Sequence, residues 1–397
     1  MGTAVLLGTT ADRSGAGWVV AVALPWGIAV SLLPRGQVSL RTAVLAGALA
    51  RVLLVGSPPL LSDDLYRFLF EGVALQAGHN PFVEAPAVIG QLNPWLADRV
   101  NHPDIPSIYP PVAQWWFRLM AVLGPRPAVA QALTSLIDIA NIALLHRLCR
   151  ARGMATWPTL VYALHPLTVI ESANGAHLEP LALLFCFSAA LALTRSTRGA
   201  GWIAAVAATL GVGVKLLPVL FAPAVARRLG WRQAVPAAFS CLLLLIALAI
   251  PVLSAGPALL DALGTYSRSW SFNGLVFPLF EPILGSWTRY LLAIAGLLVA
   301  AHAATLDDPV RTWRQVAAAF VMLSPTVHPW YVLWVFAPAL VLGGRGWPVA
   351  AAFLQGSYLV LLYDWNAPPW LGPATWGPAL TVLATAAFIR VPSSGPP

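Results

Sequence analysis

Two adjacent carboxylates, Asp63 and Asp64, head the stretch 61–82, LSDDLYRFLFEGVALQAGHNPF, directly after an apolar run that ends in Pro58 and Pro59. A carboxylate partly withdrawn from water holds its proton more tightly. That suits a general base that takes a proton from a hydroxyl. Neighbouring side chains point to different faces of the backbone, so the two acids divide the work: one as base, the other holding the loop or a cation. The competing reading is a helix start, because Ser62 or Asp63 followed by LYRFLFEG caps an amphipathic helix.

The same loop continues through His79, Asn80 and Pro81, then Asn101, His102, Pro103 and Asp104, then Tyr109, Pro110 and Pro111. Prolines at this density fix the direction of a backbone with little regular hydrogen bonding. His79, His102 and Asp104 would add metal ligands to the aspartates, but neither HxxxH nor HExxH spacing occurs. No metal site is assigned, and a divalent cation stays open as a cofactor.

Lys215 is the only lysine among 23 basic residues and sits inside the apolar run LGVGVKLLPVLF. A cation in mid-membrane costs about 2.5–3.5 kcal/mol on insertion scales, so it marks a functional site unless it snorkels to the surface. Pro218 breaks the run and puts Lys215 at the tip of a helical pair, where it would meet an anion such as a phosphate. Arg268 offers a second cation for the same phosphate. His177 and Glu179 lie in a connection too polar for lipid, Asn273 follows Arg268, and His328 precedes Trp330 and Tyr331. Together with Tyr66, Arg67, His102, Asp104 and Tyr109, these residues are the candidate substrate contacts. Arg51 and Asp138 lie at matching depth in two apolar runs, with Asn141 a turn further on, and read as a buried ion pair.

The elements that position these groups follow from composition. Of 397 residues, 58% are hydrophobic and 10% charged, against about a quarter charged in soluble domains. The chain reads as an all-α polytopic membrane protein. Its net charge of +8 is spread in ones, twos and threes beside apolar runs, a topogenic pattern that excludes nucleic-acid binding. Cys149, Cys186 and Cys241 show no paired spacing, so neither disulfides nor a cysteine metal site is expected. Crossing the hydrocarbon takes about 20 helical residues. Such runs occur near 17–34, 42–60, 128–146, 155–171, 178–194, 233–252, 287–304, 347–363 and 373–390. The regions 200–227 and 315–343 are broken near Pro218 and near Pro325 and Pro329, each reading as two short helices with a polar tip. The total is about 11–13 transmembrane helices.

The positive-inside bias places the arginine-rich connections, Arg198 and Arg390 included, in the cytoplasm and Asp63 outside. The run 109–123, with Trp115 and Trp116, then lies along the outer interface. Two large outer loops result, 61–127 and 253–286, both within one integral membrane domain spanning 1–397. The terminal 391–397 reads as a disordered tail.

Six blocks in this order, SDDLYR, HPDIPSIYPP, GAHLEP, VKLLP, RSWSFNG and SPTVHPWY, resemble the bacterial polyprenyl-phosphate-mannose-type mannosyltransferases. These are glycosyltransferases of the GT-C fold, distantly similar to the catalytic subunit of GPI mannosyltransferase I. The resemblance implies a GT-C-type bundle, a polyprenyl-phosphate sugar donor, and an aspartate base in the first outer loop. Carried over, that base is Asp63 or Asp64, with Tyr66 and Arg67 in the same motif. Eukaryotic relatives space these acids as DxD, whereas here they are contiguous, and many bacterial relatives have Asp where this chain has Glu179. The expected activity is inverting transfer of a sugar, mannose by resemblance, on the outer face of the inner membrane. The acceptor is left open among glycan, lipid and protein. The alternative is a transporter or flippase for a lipid-linked sugar, which usually shows paired halves and midplane sites; no internal repeat is visible.

Overall fold

A computed structural model of the chain describes residues 3–388 apart from 198. Arg198, Arg390 and the tail 391–397 therefore lie outside the described residues. The first third runs through α1 (Thr3–Ser31), α2 (Leu40–Val52), α3 (Asp64–Gln76), a single turn α4 (Pro94–Ala97) and α5 (Pro111–Leu123). Next come α6 (Pro127–Ala151), α7 (Trp157–Leu164), α8 (Pro166–Ala173), α9 (Glu179–Leu193), α10 (Ala200–Val212) and α11 (Ala222–Leu229). The remainder comprises α12 (Trp231–Ala249), α13 (Ala258–Ser269), α14 (Phe277–Leu284), α15 (Trp287–Ala303) and α16 (Pro309–Leu323), then α17 (Leu333–Val341), α18 (Gly346–Leu354) and α19 (Leu371–Phe388). Among the described residues there is no strand, only isolated bridges that join Phe272 and Asn273 to Thr326.

Proline sets many of the boundaries. It occupies the first turn of α5, α6, α7, α8, α9 and α16, where its missing N–H is no loss and its fixed φ suits a helix start. Pro166 likewise splits the apolar run 155–171 into α7 and α8, with the His165 side chain capping Leu167 N. The run 42–60 is helical only to Val52, because Gly56 at φ 89° and the pair Pro58–Pro59 turn the chain out of the helix. The broken regions behave as their prolines predict: a 3-10 turn at Leu217–Phe221 links α10 to α11, and another at Pro329–Val332 leads into α17.

Four helical stretches, Pro127–Ala151, Trp231–Ala255, Trp287–Ala304 and Gly346–Tyr363, are long and apolar enough to cross a membrane, and shorter apolar helices pack among them. On α12, Phe239, Leu242, Leu243 and Ile246 face outward, as do Leu291, Ile294, Leu297 and Leu298 on α15. Apolar faces this large have lipid as their solvent. The protein is an all-α polytopic membrane protein.

Inside the bundle Arg51 meets Asp138. The guanidinium gives Asp138 Oδ2 two hydrogen bonds, 3.1 and 2.5 Å, and both residues are fully buried. Asn141 and the Tyr162 hydroxyl donate to Asp138 Oδ1, and Arg51 also donates to the carbonyls of Gly47 and Ala163. The pair read from two apolar runs thus exists, with every charge satisfied, as burial demands.

Above it, α3 and α5 form a cross-packed pair. Its closest point is Gly72, where a Cβ would lie 2.1 Å from the carbonyl oxygen of Phe117. One face of α5 (Ala113, Phe117, Met120) is buried, while Trp115, Leu119 and Val122 stay exposed. That is the amphipathic character expected of an interfacial segment.

Candidate active site

The chain reaches the aspartates through 56–60, a segment whose prolines leave it without a regular backbone ladder. Side chains from two other helices hold it. Gln131 of α6 accepts from Gly56 N and donates to the Ser57 carbonyl. Asn174, at the end of α8, accepts from Leu60 N and donates to Ser57 Oγ and the Pro58 carbonyl. The same Gln131 donates to the Asn174 carbonyl, so the two clamps are one.

Asp63 then occupies the cap position of α3, but its side chain makes no capping bond. Ser62 Oγ takes Asp64 N instead, at 3.3 Å. The helix-cap reading of the carboxylate therefore fails, and both acids are turned to other partners. Asn101 Nδ2 donates to Asp63 Oδ1 and to Asp64 Oδ1, each at 2.7 Å. Asn101 is aimed by Arg67, whose Nε donates to its side-chain oxygen and whose other nitrogens hold the carbonyls of Asn101, His102 and Ile105. Arg67 thus folds the loop 101–105 over the acids. It also pairs with Glu71, a fully buried carboxylate that takes Ser107 Oγ at 2.7 Å and Gln114 Nε2 at 2.8 Å. Burial raises the proton affinity of Glu71 against the pull of Arg67. Asp63 is open to solvent at its surface yet has protein on most sides; desolvation, and then the Asp64 charge, raise its proton affinity, while Asn101 opposes both.

His177 reaches Asp64 from the other side. Its Nε2 lies 3.2 Å from Ser62 Oγ and 3.9 Å from Asp64 Oδ2. Its Nδ1 lies 2.8 Å from Glu171 Oε2, a charge contact off the line of a well-formed hydrogen bond, and Glu171 Oε1 accepts from the Tyr358 hydroxyl at 2.7 Å. Ala176 at φ 48° makes the turn that returns His177 over Glu171, and His177 N donates to the Glu171 carbonyl. Burial alone would disfavour the imidazolium, but Glu171, with Asp64 and Glu179, raises its proton affinity above the usual value. The ring stacks on Trp330 at 4.1 Å, Trp330 on His328 at 4.3 Å, and His328 on Phe272 at 5.1 Å. This column joins the α8–α9 connection, the tip before α17 and the second loop. Burial pushes His328 down to about 3, with His177 and Lys215 adding to the effect against Asp64.

Lys215 does not stand alone: its Nζ donates to buried Glu179 at 2.5 Å and lies over the Tyr331 ring. Tyr331 shares a 2.8 Å hydrogen bond with Tyr266. Tyr266 stacks on Trp270, and His102 meets that same indole edge-on. Arg268, two residues on from Tyr266, is exposed and has no ion-pair partner among the described residues. Tyr109 packs edge-on to Phe68 and Phe117.

Other sequence-derived residues make further contacts. Tyr66 meets Trp95 of α4 edge-on. Asp104 borders a groove of about 430 Å³ that faces α13, with Asp261 across it. Asn273, at φ 49°, accepts from Thr375 Oγ1 and, through its carbonyl, from Trp376, both on α19. Nor do the metal candidates converge: His79 pairs with Glu84, and no group of three or more metal-ligating side chains is found among the described residues. Sequence reasoning missed Glu71, Ser107 and Tyr358; the one available signal was Glu71 four residues after Arg67 on a helix, the spacing of a same-face pair.

The helices thus form an all-α membrane bundle that gathers paired carboxylates and a tethered cation in one cluster. The sequence model of the alpha-(1->6)-mannopyranosyltransferase family, for its N-terminal domain, matches residues 5–230, more than half of the chain, and the protein belongs to that family. Alpha-(1->6)-mannopyranosyltransferase A of Mycobacterium tuberculosis (strain ATCC 25618 / H37Rv) is 26% identical over 420 residues, covering 88% of this chain and 77% of that protein. The chain is therefore a glycosyltransferase of the bacterial mannosyltransferase kind.

Proposed function

We propose that the protein, as one integral domain, transfers mannose from a polyprenyl-phosphate donor to an acceptor hydroxyl on the outer face of the membrane, with inversion. The observation that carries this reading is the pair Asp63 and Asp64 held on one amide, Asn101, with Asp63 exposed. Asp63 takes the proton of the acceptor hydroxyl as that oxygen attacks the anomeric carbon. The bond from that carbon to the phosphate oxygen breaks, and its electron pair leaves with the polyprenyl phosphate, already a stable anion that needs no general acid. Inversion of a β-linked donor yields an α-glycoside, and the family's name supplies the 1→6 linkage. Lys215, set by Glu179 and Tyr331, and the exposed Arg268 are assigned to the donor phosphate. His102, Tyr109 and His328 line the approach, with His177 and Glu179 buried behind it. Tyr66, Arg67, Asp104 and Asn273 shape the loops around it.

The test is transfer by the purified protein from polyprenyl-phosphate mannose, compared with polyprenyl-phosphate glucose, to a membrane extract as acceptor source. Mannosylated product with the wild type and none with Asp63→Asn is expected. Full transfer by both Asp63→Asn and Asp64→Asn would sink the reading, and uptake of donor into proteoliposomes without product would favour transport.

A further inference from the structure

The two aspartates share Asn101 but differ in everything else around them. Among the described residues Asp63 has no cationic partner within ion-pair distance, whereas Asp64 faces His177 Nε2 at 3.9 Å. Behind His177 stands a chain that runs away from the solvent: Glu171 at 2.8 Å from Nδ1, then the Tyr358 hydroxyl at 2.7 Å from Glu171. His177 and Glu171 are both almost wholly buried, so neither reaches the outside. Trp330 covers one face of the imidazole, an arrangement that favours a cation. Gly175 leaves the ring its space, since a Cβ there would lie 2.6 Å from His177 Nδ1.

We propose that Glu171 and His177 form a buried positioning pair that gives Asp64 a fixed counter-charge, so that Asp64 anchors the site and Asp63 alone exchanges the acceptor's proton. The inference rests on the transfer reaction proposed above for the role of Asp63, and it assigns the two acids, contiguous in sequence, different tasks. The groups that face His177 are Asp64 and Ser62 at the start of α3, Glu171 from α8, Glu179 from α9 with its partner Lys215, and Trp330 with His328 before α17. Among these, Glu171 is the only carboxylate in contact with Nδ1. Its removal lets burial deprotonate the imidazole. Asp64 then has no opposing charge, and its repulsion of Asp63 is relieved only when Asp63 keeps its proton.

The experiment is the pH profile of transfer, read in the full-length protein with polyprenyl-phosphate mannose as the probe. Glu171→Gln keeps the shape and removes the charge; His177→Gln removes the ring charge directly. Each is expected to move the acid limb of kcat upward by about one pH unit, equivalent to about a tenfold loss where the limb is steep, with donor KM changed less than about twofold. The double variant is expected to be no worse than either single one, because the two act as a unit. Tyr358→Phe, which removes only the bond to Glu171, should move the limb the same way by less, and it serves if the charged variants do not fold. An unmoved limb in Glu171→Gln and Tyr358→Phe, or an equal loss at every pH, overturns the positioning pair. Asp63→Asn separates the two readings: active, it removes the base assignment itself; inactive beside an unmoved Glu171→Gln profile, it leaves the reaction standing and removes only the pair.

Discussion

Asn101 is the residue on which the acidic pair depends most directly. One NH2 group serves two carboxylates, and a hydrogen bond to a charged group contributes about 1.5–3 kcal/mol. Asn101→Ala should therefore lower kcat by about 10–100-fold while the protein still folds, measured by transfer rate beside a detergent melting curve. Glu71 makes a different prediction, about stability. Its proton affinity is raised in the folded state, so the stability it supports is complete at low pH and is lost as pH rises through its folded pKa. Glu71→Gln removes that dependence, so its melting temperature should gain on the wild type as pH goes from 5 to 8. Legibility at this scale was uneven. Arg51 and Asp138 stood out because a charge in an apolar run has few explanations, and each pointed to the other. Asn101 and Ser107 in a loop and Gln114 on α5 carried no such contrast, since single polar residues have no period of their own and their partners lie 36–43 positions away in the chain. Lys215 was legible as an isolated cation in an apolar run but not as the partner of Glu179, because nothing in a sequence says which acid on a neighbouring helix faces it.

At the scale of elements, the acidic site stands on the α3–α5 contact. Gly72→Ala would drive a methyl into the Phe117 carbonyl, and backbone offers no rotamer by which to yield. Overpacking of this kind costs about 1–3 kcal/mol. The expected result is a lower melting temperature together with lost transfer, while Gly78→Ala, with open space around its Cβ but φ 85°, costs less. The Arg51–Asp138 pair ties α2 to α6. Removing either partner strands a buried charge, at about 3–5 kcal/mol, and the swap Arg51→Asp with Asp138→Arg should restore expression only in part. The reason is that the carbonyls of Gly47 and Ala163 take their hydrogen bonds from Arg51 itself. The break at Pro166 was missed inside the run 155–171, whereas those near Pro218 and Pro329 were readable in advance. The end of α2 was not, because the apolar residues 53–55 continue the hydropathy of the helix past the point where its backbone stops.

Across the whole molecule, the two ends of the bundle differ in what they hold. One gathers the aspartates, His177 and the aromatic column; at another place Arg152 grips Asp308 through two bonds, 3.0 and 2.7 Å, tying α6 to α16. We propose that the first end lies outside, as the charge bias predicts. A cysteine at the exposed Val83 should then react with a membrane-impermeant thiol reagent on intact cells, and one at exposed Arg150 only after permeabilisation. Of the native cysteines Cys149 and Cys186 are buried and Cys241 is half-buried, so the wild type serves as the labelling control. Labelling with the opposite sidedness would invert the topology.

The clamp made by Gln131 and Asn174 has one more effect. Residues 56–60 carry the aspartates but rely on side chains of α6 and α8 for their hydrogen bonds. Such a segment opens at a lower free energy than the helices that hold it. The enzyme is therefore built with a thermal fuse: on warming, transfer should stop at a temperature where the helices are still intact, and it should return on cooling.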